Sequence, residues 1–219
     1  ADKLCLPLSV SETHSQANLK KSHDEVLEEI RKISEYIAEL DRTQKPEFEG
    51  NLSTAFGCTL EGSVSEDKVV KLGAQMMELG CDEVGLSDTT GYANPNQVKR
   101  LIRLLKKEVG EENLTSMHLH NTRGLGLANA LASFEEGVTT LDSSLGGIGG
   151  CPFAPGASGN IVTEDLVFML DAMGLETGID IEKLLAVTEK VQSFIPNESI
   201  YGFTKDSGLP KGYEKGWGV

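Results

Sequence analysis

Two histidines one residue apart are the first chemistry legible in the chain. His118 and His120 close the run Leu114 to His120, which reads as a strand, and side chains two apart on a strand leave the same face. Two imidazoles on one face can reach a single ion. The competing reading is a pair of packed, hydrogen-bonded rings. Asn121 and the turn-forming Gly124 follow immediately, which places the pair at a strand end and favours the shared ion. Two imidazoles completed by oxygen ligands and water suit a catalytic divalent cation, with magnesium, manganese and zinc all compatible.

A second signal is Cys151. The segment Gly149 to Asn160, GGCPFAPGASGN, is too rich in Gly and Pro for regular structure, and its 12 residues are long for a strand-to-helix connection. Long ordered loops of this kind serve as lids or binding elements. Most free cysteines are small buried hydrophobes. One that follows two glycines and precedes a proline is poorly placed for packing, so the expectation is a reactive, partly exposed thiol.

Other polar residues fall where strands should end: Asp88, followed by Thr89-Thr90-Gly91, and Asp142. Asp88 could equally be a turn residue bonding its own backbone. Asn160, Glu164 and Asp165 stand where a helix begins. Thr163 is its expected N-cap, and the two carboxylates would complement the positive helix end. His14 and His23 read as solvent-exposed residues at helix starts and receive no role.

The elements that must position these groups alternate: a short apolar run, then an amphipathic helix, five times over. That rhythm implies parallel strands joined by helical crossovers, an α/β class. The strands are expected at Leu4 to Val10, Phe48 to Phe56, Glu83 to Ser87, Leu114 to His120 and Val138 to Ser143. Ser22 and Glu25 have capping-box spacing ahead of an apolar stripe of Val26, Ile30, Ile33, Ile37 and Leu40. A helix from about Ser65 is stopped by Gly80. Asn94-Pro95 supplies the cap and first residue of the next, and a fourth runs from Gly126 to Glu136. Further helices are expected from Thr163 and near Asp180 to Gln192, whereas Phe194 to Val219 shows no period. Polar groups at the strand ends favour an enzyme, because ligands bind at that edge of parallel α/β folds. Five units can form an open doubly wound sheet or an incomplete barrel, and periodicity does not choose between them.

Composition narrows the partners. A net charge of -14 with no concentration of Lys and Arg argues against nucleic acid, and an anionic ligand would need local basic residues. No apolar run is long enough to span a membrane. Cys5, Cys58, Cys81 and Cys151 are scattered without CxxC spacing, as free thiols are. No secretory leader opens the chain, so the cytoplasm is the expected compartment; with Ala1 in first place, the mitochondrial matrix stays open.

With these residues in view, the sequence resembles the 3-hydroxy-3-methylglutaryl-CoA lyase family over residues 3 to about 192. Gly149 to Asn160, extended by Thr163-Glu164-Asp165-Leu166-Val167, closely resembles the cysteine-bearing signature loop of these lyases. Ser11-Glu12-Thr13-His14, Ser53-Thr54-Ala55-Phe56-Gly57-Cys58, Ser87-Asp88-Thr89 and His118-Leu119-His120 match in order and spacing. The resemblance implies a TIM (β/α)₈ barrel. Aligned to it, the chain starts at the fourth strand, so residues 1–192 are expected to be a partial barrel of strands four to eight and 193–219 a C-terminal tail. The family's first-strand arginine and aspartate and its second-strand glutamate have no counterpart here, which points to a fragment of a longer protein.

The implied chemistry is retro-Claisen cleavage of 3-hydroxy-3-methylglutaryl-CoA, or of a related acyl-CoA such as citramalyl-CoA, with a divalent cation, Mg²⁺ or Mn²⁺ ahead of Zn²⁺. By the same resemblance His118, His120 and Asn160 are metal ligands and Cys151 is the acid that protonates the released enolate. His118 also shuttles protons, and Asp88 and Glu164 support the site. The family implies an acyl-CoA partner and a homodimer. One departure is Asn121, where the lyases usually carry aspartate; His-x-His-Asn also resembles the isopropylmalate and homocitrate synthases, which run Claisen condensation. Those relatives lack the cysteine loop, so lyase is the expectation, with a synthase or an inactive barrel fragment as the alternatives.

Overall fold

The computed structural model describes residues 1–41, 43, 45–152 and 159–216. Positions 153–158 of the glycine-rich loop lie outside the described residues. The chain divides into two compact units, residues 1–142 with Cys151 and Pro152, and residues 143–150 with 159–216.

The first unit holds a sheet of five parallel strands: β1 (Lys3–Ser9), β2 (Glu47–Ser53), β3 (Glu83–Asp88), β4 (Leu114–Leu119) and β5 (Thr140–Asp142). They pair in sequence order from β1 to β5. A doubly wound sheet reverses its order at a switch point, and this one does not. With right-handed crossovers, an unreversed order places every crossover helix on one face. The architecture is therefore α/β and is five consecutive units of a (β/α)₈ barrel, a partial barrel.

The crossover helices are α2 (His23–Glu39), α3 (Glu66–Glu78), α4 (Pro95–Val109) and α5 (Gly126–Glu135). Ser22 and Glu25 complete the capping box of α2, and Asn94 accepts from Gln97 N at 3.1 Å at the start of α4 with Pro95 in the first turn. One helix was not legible: α1 (Glu12–Asn18) follows β1 at once, capped by the Ser11 side chain. The second strand ends at Ser53 rather than Phe56, because Thr54 adopts φ 55° and leaves the extended region. The fifth is shorter than expected, Thr140–Asp142.

Alternation divides the sheet. Leu8, Phe48, Leu52, Val84, Leu86 and Met117 are buried beneath the helices. The other face is polar in registered rows. Ser9 pairs with Ser53, Ser87 with His118, and His118 with Asp142. Deeper lie Cys5, Glu49 and Glu83, in register with one another. Glu49 accepts from Asn51 Nδ2 at 3.1 Å and Ser116 Oγ at 2.7 Å and pairs with Lys3 Nζ at 2.8 Å. Glu83 takes the same ammonium and the Thr115 hydroxyl. Buried carboxylates persist only when paired in this way.

The second unit contains α6 (Thr163–Ala172), α7 (Ile181–Phe194) and α8 (Phe203–Ser207). Thr163 is not the N-cap of α6: Val162 takes that position with no side-chain cap, and Thr163 Oγ1 lies 2.9 Å from Ser143 Oγ. Asp165 accepts from Phe203 N at 3.0 Å and Thr204 N at 2.7 Å, which anchors α8, a helix in the stretch where no period is legible. Among the described residues no helix is long and apolar enough to cross a membrane.

Gly85 sits amid the polar network, where an added Cβ would lie 2.3 Å from both Glu49 Oε1 and Ser116 Oγ and 2.8 Å from Asn51 Nδ2. Gly85→Ala is expected to destabilise the fold by about 1–3 kcal/mol. The check is urea denaturation, in which the midpoint should fall without a change of slope; an unmoved midpoint would contradict the packing described.

Candidate active site

The C-terminal edge of the sheet gathers the candidate groups. His118, on the polar face of β4, and His120, just beyond its end, bring their Nε2 atoms to 3.2 Å, with ring centroids 5.2 Å apart. Nδ1 of His118 lies 3.5 Å from Asp142 Oδ2 on β5. A carboxylate on that side of the ring favours the proton on Nδ1, the tautomer that leaves Nε2 as the lone-pair donor. Two ligands at about 2.1 Å and at right angles around one cation stand about 3 Å apart, so the imidazole separation fits a shared ion. Among the described residues no group of three or more His, Cys, Asp and Glu side chains converges on one point.

Asp88 occupies the helix-side parity of β3, next to Ser87 on the polar face, and is buried. Its Oδ1 accepts from Tyr92 N at 2.9 Å and its Oδ2 from Ala93 N at 3.1 Å. It therefore shapes the loop after β3 in the manner of a turn residue. Burial pushes its carboxyl up to about 6, against the opposing pull of those two donors and of Arg123. Thr54, the β-branched residue in the left-handed region, ties neighbouring loops: its Oγ1 accepts from Ser11 N at 3.1 Å and its N–H donates to Thr89 Oγ1 at 2.9 Å. Strain of this kind concentrates at functional edges.

The loops after β2, β3 and β4 also line an open cleft of about 440 Å³ with Phe56, Ser63, Tyr92 and Arg123. The Arg123 guanidinium stands 4.5 Å from the Tyr92 ring centroid and donates to the carbonyls of Thr90 and Gly91. Arg123 is the basic group that lines this cleft.

His14 corrects the sequence reading. It is not exposed but buried, at 1% exposure, on α1. Its Nδ1 is 2.8 Å from Ser9 Oγ and its Nε2 is 3.5 Å from Cys151 Sγ. Burial lowers the His14 imidazole below its usual value of 6.5, with Glu61 opposing. His23 is half-buried, its Nε2 2.8 Å from the Ser9 carbonyl. The signal that could have found His14 was its place within a few residues of the C-terminal end of a strand, as Asp88 and Asn121 also are. Cys151 itself is half-buried.

Asn160 and Glu164 belong to the second unit. Asn160 Nδ2 donates to the Ile148 carbonyl at 3.1 Å and its carbonyl accepts from Tyr201 OH at 3.2 Å. Glu164 is fully buried and accepts from Gly146 N at 3.1 Å and from the Thr188 hydroxyl. Within its unit it fastens the turn at Gly146 to α6 and α7.

Comparison with known proteins places this architecture. The HMGL-like family matches residues 1–191. Hydroxymethylglutaryl-CoA lyase YngG of Bacillus subtilis is 37% identical over 92% of this chain and 67% of its own length. The (R)-citramalyl-CoA lyase of Chloroflexus aurantiacus is 40% identical over 84% of this chain and 56% of its own length. The structure of an HMG-CoA lyase from Acinetobacter baumannii in complex with coenzyme A and 3-methylmalate superposes with a TM-score of 0.88 at 39% identity, covering 98% of this chain and 68% of that one. The chain thus spans roughly half to two thirds of the lengths of the relatives it matches.

The raised Asp88 carboxyl has a definite sign. Between 3.8 and about 6 the folded protein holds a proton that the unfolded chain has released. The stability contribution of Asp88 is then fullest at low pH and declines as pH rises through about 6. The Asp88 carboxyl ¹³C resonance should titrate near that upper value, and titration at or below 3.8 would refute the assignment.

Proposed function

The chain belongs to the HMGL-like family, and from that membership we propose that it supplies the catalytic edge of a carbon–carbon lyase cleaving 3-hydroxy-3-methylglutaryl-CoA or a close relative such as citramalyl-CoA. The observation that carries the reading is the convergence of the His118 and His120 Nε2 atoms at the end of a sequentially wound parallel sheet. Relatives named for both of these substrates share similar identity with the chain. The two substrates share a 3-hydroxy-3-methyl acyl thioester.

In this reading His118 and His120, with Asn160 by family resemblance, would hold a divalent cation, with Mg²⁺ or Mn²⁺ proposed ahead of Zn²⁺. Such an ion supplies charge that lowers the pKa of a bound hydroxyl. His118 carries two roles by resemblance, ligand and proton shuttle. The one lone pair on Nε2 serves one of these at a time, and Asp142 lies beside Nδ1 on the far side of the ring. Loss of the hydroxyl proton lets the C2–C3 bond break, leaving a ketone and the enolate of the acyl thioester. Cys151 then gives its proton to the enolate carbon. Asp88 acts by holding the loop that carries Tyr92, and Glu164 by holding the Gly146 turn. The Arg123 and Tyr92 cleft offers a cation beside an aromatic ring, a pairing suited to an anionic, adenine-bearing thioester carrier.

Condensation in the synthase sense has less support. Asn121, the residue shared with the synthases, accepts from Gly126 N at 3.0 Å, so it is accounted for as a brace at the start of α5. We propose the cytoplasm as the compartment; relatives are named for both cytoplasm and mitochondrion.

The test is made on the intact protein, by following acetyl-CoA release from each acyl-CoA. Cys151→Ala should lower turnover by about a hundredfold or more, and normal turnover in that variant would overturn the reading. A chelator should abolish activity and added Mg²⁺ or Mn²⁺ restore it, while His120→Ala should raise the metal concentration needed for half-maximal rate. Formation of a condensation product from acetyl-CoA and a 2-oxo acid, without cleavage, would establish the synthase instead.

A further inference from the structure

An acid that gives its proton to carbon must be returned to its protonated form before the next turnover. The immediate surroundings of Cys151 contain a group placed for this. His14 Nε2 is 3.5 Å from Cys151 Sγ, an ordinary distance for a hydrogen bond to sulfur, and the ring is held from its other side by Ser9 Oγ, 2.8 Å from Nδ1. Ser9 and His14 are both buried at 1% exposure. Ser9 is fixed at the end of β1 by register with Ser53. His14 is fixed by α1, whose Ser11 cap accepts from the His14 backbone N–H at 3.1 Å.

We propose that His14 is the positioning residue that makes Cys151 an acid which can be used repeatedly, with Ser9 setting the orientation of the ring. The inference rests on the lyase reading, in which Cys151 protonates the enolate.

In the resting state the thiol S–H donates to Nε2 and Nδ1–H donates to Ser9 Oγ. Burial disfavours the imidazolium, so the ring rests neutral, with Nε2 able to accept from the thiol. When the enolate forms, the S–H bond breaks, the proton forms a C–H bond at the enolate carbon, and the electron pair stays on sulfur. His14 then takes one proton from solvent water, and the imidazolium passes the Nε2 proton to the thiolate. The count closes, because the substrate hydroxyl releases one proton to solvent for each one the carbon receives. Ser9 Oγ accepts from Nδ1–H throughout, so the ring need not turn. Among the described residues, Glu61 favours the imidazolium and accepts from Thr13 N at 2.6 Å, while His23 Nε2 lies 2.8 Å from the Ser9 carbonyl with Glu12 4.0 Å from its Nδ1.

The test uses the intact protein and two readouts. The first is the iodoacetamide alkylation rate of Cys151 at neutral pH, read on its own peptide by mass spectrometry with Cys151→Ser as blank. His14→Gln and His14→Phe should slow it by about tenfold or more, because a thiol loses its neighbouring base. The second is the pH profile of kcat, whose alkaline limb should move to lower pH in both variants while KM is unchanged, because return of a proton to the thiolate then depends on solvent alone; Ser9→Ala should move it the same way by less. An unchanged alkylation rate in a folded His14→Gln protein would overturn the inference, as would an unchanged kcat profile. Failure of the lyase reading looks different: Cys151→Ala would then retain turnover whatever His14 does.

Discussion

The whole arrangement depends on one constraint: parallel strands joined in sequence order must all end at the same edge. Each crossover returns the chain to the far end of the sheet, so the residues after β1, β2, β3 and β4 are released side by side. Distance in sequence then ceases to matter. His14 and Cys151 are separated by 137 positions yet meet at hydrogen-bonding distance. A sheet wound in both directions would have set half of these loops on the other side of a switch point, with helices on both faces. Here one face is free of crossover helices, and it is the face that carries Ser9, Ser87, His118 and Asp142 in register.

A histidine pair and a histidine–cysteine pair at that edge show how different the surroundings of like rings can be. His118 and His120 face each other and leave both Nε2 atoms aimed at one place, with a carboxylate behind the first. His14 faces a thiol and has a hydroxyl behind it. A carboxylate behind an imidazole favours positive charge nearby and suits a cation site. A neutral hydroxyl in a buried setting does not, and suits proton exchange at low net charge. The division follows from what stands on the far side of each ring.

Most of the architecture was legible because it is periodic. The stripes of α2, α3 and α4 and the Ser22–Glu25 box required only local spacing, and the strands are short apolar runs between them. The His-x-His pair was legible for the same reason, as parity on a strand. What was not legible lacked period. The helix α1 is 7 residues long, too short for a stripe, so no local pattern marks His14 as buried. Thr54 ends β2 early through its backbone conformation, which its side chain does not announce, since a β-branched residue is disfavoured at positive φ. Thr163 satisfies the chemistry of a cap, but its hydroxyl lies against Ser143, and the cap passed to Val162. In each case a long-range partner outweighed a local preference.

The carboxylates beneath the site carry a consequence for how the sheet comes to be aligned. Lys3 on β1 is shared between Glu49 on β2 and Glu83 on β3, while Ser116 on β4 satisfies Glu49, so four strands are keyed to one another by polar bonds as well as by the backbone ladder. Apolar faces alone tolerate a shift of two residues, because such a shift returns every side chain to the side it left. With the keys present, a shift by two would maroon a charge in the interior without its mate. The polar keys thereby single out one alignment among those that the apolar faces would accept, in a topology whose strands must all find partners across long crossovers.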